Sequence, residues 1–379
     1  MLSTPKLVVL NLTTDCNMRC MYCYASAGDC QSYMSKETAI KTVKELKEIN
    51  NDGKIKILFH GGEPLLCLDV IKEVIAFCEQ NYKKEDIDYY IQTNCLLLSR
   101  DVIAYLKEKN VKISISIDGC DYGSNECRVL PNGENSFNII KNAIDEMNRQ
   151  KVMINCLAVL NEKNYKHVEE IIDFFVANNI YNFSFNYFIK GGRGGQNSYL
   201  ALTNEKLFET TKKIINKLED YYQKGIVLNE KNVFYLVKSI ATARKLYMCA
   251  NSPCGAGLNI FGITPSGDIY PCDDLSSQEQ FCLGNINERH LKDILESPII
   301  QHFAYCTYDN INECKDCNLK SYCGAGCCSR KFYENDTIYS KDPICGFYKL
   351  AIPYVKNLLK NKKISKEIYG IDSQIKNKG

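Results

Sequence analysis

The sequence predicts an α/β fold: an incomplete, TIM-like (β/α)6 barrel followed by a small cysteine-rich domain. Three observations carry that expectation. Over the first two hundred residues, short β-rich runs alternate with amphipathic stretches, the rhythm of repeated βαβ units. Several runs are apolar on both faces, as strands of a parallel sheet under helices are. From Cys249 the rhythm stops and the chain becomes rich in Cys, Gly, Asn and Asp. The pattern divides the chain into a partial barrel over 1–200, a helical linker over 201–248, the cysteine-rich domain over 249–348, and a helix with a basic tail over 349–379. An open doubly wound sheet gives the same alternation, so the repeats alone do not choose between the two.

The strands fall, in order, at LVVLNL (7–12), KIKILF (54–59), DYYIQ (88–92), VKISISI (111–117), MINCLAVL (153–160) and FSFNYF (183–188). Ser35 is placed to cap the helix KETAIKTVKELKEI, because its hydroxyl can accept from a free first-turn N–H. Ile140, Ile144 and Met147 fall on one face of the stretch after Ser136, the apolar stripe of a surface helix. GGRGGQNS (191–198) reads as a flexible polar segment, and helical stretches follow near 204–222 and 230–247. LNIFGI and DIYP read as short strands around the turn PSG. The chain ends in VKNLLKNKKISKEIYGIDSQIKNKG, whose seven lysines suggest a helix fading into a solvated tail.

Composition narrows the function. With 379 residues and 45% hydrophobic content the chain can build an ordinary core, and its formal charge of +2 gives no field to concentrate nucleic acid or anionic lipid. No apolar run reaches the ~18 residues of a membrane span, and the N-terminus lacks the pattern of a secretory signal. The expectation is a cytoplasmic protein with no nucleic-acid and no membrane partner. Its thiols are then reduced, and 21 cysteines beside no tryptophan read as metal ligands plus small buried hydrophobes.

Cys16, Cys20 and Cys23 form C-x3-C-x2-C directly after the first strand. Three thiolates this close can wrap one iron-sulfur cubane and leave its fourth iron open. The loop also sits at the carboxyl end of a barrel strand, where such folds place their chemistry. The string CNMRCMYC, with aromatic Tyr22 before the third cysteine, resembles the signature of the radical S-adenosylmethionine (radical SAM) superfamily. HGGEP (60–64) after strand two resembles that family's GGEP motif, which implies that Gly61, Gly62, Glu63 and Pro64 hold the amino group of SAM, Glu63 supplying a carboxylate. QTN (92–94) and SID (116–118) end strands three and four, so Thr93, Ser116 and Asp118 match positions for the ribose and carboxylate. Leu160, closing strand five, matches the position lying against adenine. Cys95 stands where relatives often carry glycine. Arg128 resembles a position that reaches the SAM carboxylate or a substrate, although a loop arginine is ordinarily solvated. The resemblance implies reductive cleavage of SAM to a 5′-deoxyadenosyl radical that abstracts hydrogen from an unactivated carbon.

Farther on, Cys254, Gly267 and Cys272 precede Cys314-x2-Cys317-x5-Cys323-x3-Cys327 and then Cys345. The order resembles the SPASM extension of one radical SAM branch. It implies two auxiliary clusters, giving three 4Fe-4S clusters in all: Cys254, Cys272 and Cys327 on the first, with Cys249 as its fourth ligand, and Cys314, Cys317, Cys323 and Cys345 on the second. Without Cys249, the open iron would be free for a substrate thiolate. Structural zinc is the rival for such CxxC pairs.

The expected function is therefore a radical SAM/SPASM maturase, an oxidoreductase acting on a ribosomal precursor peptide and forming a Cys-derived thioether. A flavodoxin or ferredoxin would donate electrons. Because strand one begins almost at residue 1, leader recognition is expected from a separate protein or from another surface. The alternative is an anaerobic sulfatase maturase, which makes formylglycine; there the Asp after the cysteine matching Cys272 is the base, and Asp273 takes that place. A reading of another class is a non-catalytic iron-sulfur electron carrier or zinc-binding module.

Overall fold

The computed structural model describes residues 5–50, 53–244 and 247–371. In the second apolar run Ile55, Ile57 and Phe59 are fully buried while Lys56 between them is exposed, the period-two pattern of a strand with one face under helices. The six expected strands form at their expected places: β1 (Leu7–Asn11), β2 (Ile55–His60), β3 (Ile87–Thr93), β4 (Lys112–Ser116), β5 (Ile154–Val159) and β6 (Asn182–Asn186). They lie side by side in chain order and all run parallel. A doubly wound sheet reverses its order at a switch point. This sheet does not reverse, so right-handed crossovers put every connecting helix on one face and the partial barrel is the fold.

Those helices are α1 (Lys36–Ile49), α2 (Leu68–Asn81), α3 (Arg100–Glu108), α4 (Phe137–Arg149) and α5 (Val168–Ala177). Ser35 caps α1 as expected, its Oγ accepting from Thr38 N at 3.1 Å, and Ile140, Ile144 and Met147 of α4 are fully buried. The inner face differs from the expectation of strands apolar on both sides. Its residues, among them His60, Gln92, Ser116, Leu157 and Val159, are half-buried because they line a cavity.

The glycine-rich segment is not a flexible stretch: Gly192–Gln196 forms a short helix, α6, packed against the first cysteine loop. After it come α7 (Asn204–Gln223), the two-residue β7 (Asn229–Glu230) beside β6, and α8 (Lys231–Thr242), shorter than expected. Then β8 (Ile260–Ile263), β9 (Asp268–Tyr270) and β10 (Gly284–Asn285) follow, with β8 pairing parallel to the free edge of β1. The cysteine-rich half thereby extends the barrel sheet to ten strands. Its helices are α9 (Leu291–Ile294), α10 (Pro298–Tyr305), α11 (Lys320–Cys323), α12 (Cys328–Asn335) and the long α13 (Cys345–Lys360), which packs on α7 and α8. The chain end is less solvated than its lysines suggest. Ile364, Ile368, Tyr369 and Ile371 are buried, with the Tyr369 ring 6.4 Å from Phe234 of α8. Residues 372–379, the last of the expected basic tail, lie outside the described residues. Among the described residues no helix is long and apolar enough to cross a membrane.

Glu230 ties β6 to the first turn of α8, its carboxylate accepting from Phe185 N at 2.8 Å and from Val233 N at 2.6 Å. Burial pushes this carboxyl up to about 7, above the ~4.3 of an unfolded chain. A raised carboxyl contributes stability that is present at low pH and lost as pH rises through the folded value. Glu230→Gln therefore flattens the pH dependence of Tm: from about pH 4 to about pH 7 the wild type loses about 3 kcal/mol relative to the variant, read by thermal melts.

Candidate active site

The loop from Thr13 to Met34 leaves β1 at its carboxyl end and carries Cys16, Cys20 and Cys23 into a cavity of about 380 Å³. Two arginines hold its shape. Arg19 donates to the carbonyls of Cys16 (2.6 Å), Met18 and Gly28, and Arg193 of α6 donates to those of Cys20 (3.1 Å) and Ala27 while pairing with Asp29 at 2.6 Å. The segment 127–129 braces the other side through Met21 N to Cys127 O and Arg19 N to Val129 O. All three thiols face the cavity and act on one another. Burial pushes Cys16 up to about 12 and Cys20 up to about 11, with Arg128 pulling Cys20 back.

The GGEP segment packs on this loop. Gly62 N donates to Thr13 O and Glu63 N to Asp15 O, and a side chain on Gly62 would stand 1.9 Å from Asp15 O, so only glycine fits there. Gly61 and Gly62 line the cavity, as do Tyr22, Thr93 and Ser116, whereas Glu63, Pro64, Asp118 and Leu160 do not. Glu63 is fully buried behind the wall, where it accepts from Thr93 Oγ1, Asn94 N and Leu65 N, and burial pushes it up to about 7. Asp118 likewise sits behind the wall, accepting from Tyr22 OH at 2.5 Å and Val159 N at 3.0 Å. These two carboxylates support the site where direct contact was expected. Leu160 is a core leucine, and Pro64 opens the turn into α2. Cys95 takes a left-handed backbone, φ +75°, which explains why glycine suits that turn.

Arg128 is not a solvated loop residue. It is 5% exposed, donates to Tyr22 OH at 2.8 Å and lines the cavity, and its Nε is buried without a partner. Asn94, whose amide reaches Cys16 Sγ at 3.6 Å, belongs to the same wall. It ends the QTN motif, yet nothing in the sequence singles out its side chain.

Across the cavity stands Asp273. Its carboxylate accepts from Asn11 Nδ2 at 2.5 Å and from Tyr24 OH, and lies 3.5 Å from His60 Nδ1. Neither Asn11, Tyr24 nor His60 carried a signal beyond adjacency to a motif. Neighbouring Asp274 is raised to about 6 by burial and by Asp273.

The remaining motif cysteines fall in two sets, and both sets reach the cavity wall. Cys249, Cys254, Cys272 and Cys327 act on one another electrostatically, with Cys249 and Cys327 open to the cavity. Cys314, Cys317, Cys323 and Cys345 form the other set. Among the described residues no His, Cys, Asp and Glu group closes tightly enough around a single metal ion. A cubane bound at its four corners asks for a wider set. Of the ten cysteines outside the motifs, Cys67, Cys78, Cys95, Cys127, Cys156, Cys306 and Cys328 are buried, as small hydrophobes are.

The comparisons with known proteins agree with this geometry. Residues 10–175 match the family model of the radical SAM superfamily, and residues 254–318 match SPASM, an iron-sulfur cluster-binding domain. A cysteine-type anaerobic sulfatase-maturating enzyme of Clostridium novyi is 27% identical, over 83% of this chain and 85% of its own length. Native anSMEcpe with bound AdoMet and Cp18Cys peptide shares the fold at a TM-score of 0.80 and 22% identity, covering 94% of this chain and 100% of that one. Streptococcus suis SuiB bound to precursor peptide SuiA follows at 0.66 and 19%, covering 90% and 76%. The chain is thus a radical SAM enzyme, which sets aside a non-catalytic carrier or zinc module. It belongs to the branch of that superfamily carrying a C-terminal SPASM domain.

Proposed function

We propose that this enzyme is a peptide or protein maturase that oxidises a Cys or Ser side chain of its substrate to formylglycine, with Asp273 as the base. The observation that carries the reading is the place of Asp273, in the cavity wall between the three-cysteine loop and the face formed by Cys249 and Cys327. Bound there, SAM and three 4Fe-4S clusters would supply a 5′-deoxyadenosyl radical on one side and an electron acceptor on the other. Cys16, Cys20 and Cys23 would hold the first cluster, Cys249, Cys254, Cys272 and Cys327 the second, and Cys314, Cys317, Cys323 and Cys345 the third. The unpaired Arg128 Nε fits a carboxylate such as that of SAM.

The substrate's Cβ gives up a hydrogen atom, its thiol or hydroxyl gives a proton to Asp273, and one electron leaves toward Cys249 and Cys327. A C=S or C=O bond forms, and water converts the thioaldehyde to the aldehyde with loss of hydrogen sulfide. Asn11 and Tyr24 keep the Asp273 carboxylate aimed into the cavity for that transfer. The thioether reading asks for an auxiliary iron left open to a substrate thiolate. Cys249 standing with its three partners favours a fully ligated cluster, and so favours oxidation. A flavodoxin or ferredoxin is the proposed electron donor; a thioether maturase would also call for a leader-recognition protein.

The test is anaerobic incubation with SAM, a reductant and a sulfatase-derived peptide in Cys and Ser forms. The expected product carries an aldehyde that a hydrazine traps. A crosslinked peptide that has lost a hydrogen pair, with its cysteine closed to alkylation, would carry the thioether reading instead.

A further inference from the structure

Lys331, on α12, is 1% exposed and reaches Cys306, a member of the small buried cluster that also holds Phe303, Ile311 and Phe332. Its Nζ reaches Cys306 Sγ at 3.7 Å, and among the described residues no carboxylate stands within ion-pair distance of it. The residue before it shows the contrast. Arg330 is half-buried and its charge is met by Asp342 at 2.6 Å, while the same carboxylate acts on Lys331 only from beyond ion-pair distance. A buried ammonium without an anion costs several kcal/mol, so a fold that keeps one ordinarily offers it negative charge.

Cys306 does not supply a full anion. Cys328 and the ammonium pull its thiol down to about 7. A thiolate there, however, would face the Ile338 carbonyl oxygen at 3.0 Å, lone pair against lone pair, so Cys306 donates to that oxygen as a neutral thiol. Cys306 belongs to one buried cluster with Cys254 of one thiol quartet, Cys314 of the other, and Cys328, whose Sγ lies 3.7 Å from its own, so the ammonium stands in the core that both quartets share. Each quartet, closed around a 4Fe-4S core, carries a net charge of about −2, and about −3 when reduced.

We propose that Lys331 is the shared counter-ion of the two auxiliary clusters, a buried cation in the core that holds Cys254 and Cys314, and that it favours their reduced states. The role rests on the assignment of the two quartets as cluster ligands under the proposed function. It makes Lys331 a tuning residue that touches neither substrate nor SAM. Net charge near a cluster is one of the levers that set its potential, and a low-dielectric surrounding strengthens it.

Iron analysis of the wild type separates the two claims. Iron for three clusters per chain supports the quartets, and iron for one overturns them and this inference together. In a redox titration followed by EPR, Lys331→Met, which keeps the length of the side chain and removes its charge, lowers the reduced-to-oxidised ratio of an auxiliary cluster at least tenfold at fixed potential, about 59 mV for one electron. The signal of the cluster on Cys16, Cys20 and Cys23 stays unchanged. Lys331→Arg, which keeps the charge, holds both auxiliary potentials in place, and so does Cys306→Ser. Unchanged potentials in an iron-replete Lys331→Met protein overturn the inference. Should Lys331→Met not fold or not hold auxiliary iron, a tenfold shift or loss of auxiliary iron in Lys331→Arg overturns it equally.

Discussion

Replacing Cys16, Cys20 and Cys23 together by alanine reduces 5′-deoxyadenosine release from SAM to background while the auxiliary iron stays in place. The effect is large because these thiols line the barrel side of the cavity and, under the proposed function, would hold the SAM cluster, for which three donors are the fewest that leave one iron open. It is selective because the other eight motif cysteines belong to different segments: Cys249 and Cys254 between α8 and β8, and the rest after β9. The loop itself stays in shape, since Arg19 and Arg193 grip its carbonyls and not its thiols. Product assay and iron analysis on one preparation read both halves. Cleavage that survives the triple replacement contradicts the site.

Asp273→Asn separates the two halves of the reaction. SAM cleavage continues near the wild-type rate, and oxidation of the substrate side chain falls by about 10² to 10⁴, the range of a lost general base. Asparagine still accepts from Asn11 Nδ2 through its remaining oxygen, so the wall keeps its shape and the lost quantity is the proton acceptor. Tyr24→Phe costs less, because Tyr24 orients the carboxylate and takes no proton. Wild-type product formation in Asp273→Asn would remove Asp273 from the chemistry.

Much of this architecture was legible in the sequence, and the boundary of what was legible is physical. All six barrel strands announced themselves because their burial pattern is local, and so did Ser35 and the stripe of α4. The pairing of β8 with β1 was not legible, since a parallel register between residues about 250 positions apart leaves no short-range mark. Motifs named residues but not layers: the GGEP and SID patterns mark Glu63 and Asp118 as ligands, and the structure sets both behind the wall, holding Thr93, Asn94 and Tyr22. Arg128 misled in the other direction. Its surroundings, CRVLPNGENSF, read as open loop, yet a bridge between Val129 and Asn135 and the Asp121–Ser124 turn fold that segment back and bury the guanidinium. In the tail the lysines suggest solvation, and the apolar residues Ile364, Ile368 and Tyr369 between them decide where it lies.

The most direct test of the account is where the hydrogen goes. A substrate peptide deuterated only at the Cβ of its target Cys or Ser, incubated anaerobically with the enzyme, SAM and a reductant, transfers deuterium into 5′-deoxyadenosine in step with aldehyde formation. Unlabelled 5′-deoxyadenosine accompanying a modified peptide would contradict abstraction at that carbon, and with it the catalytic role of the cavity between Cys16 and Asp273.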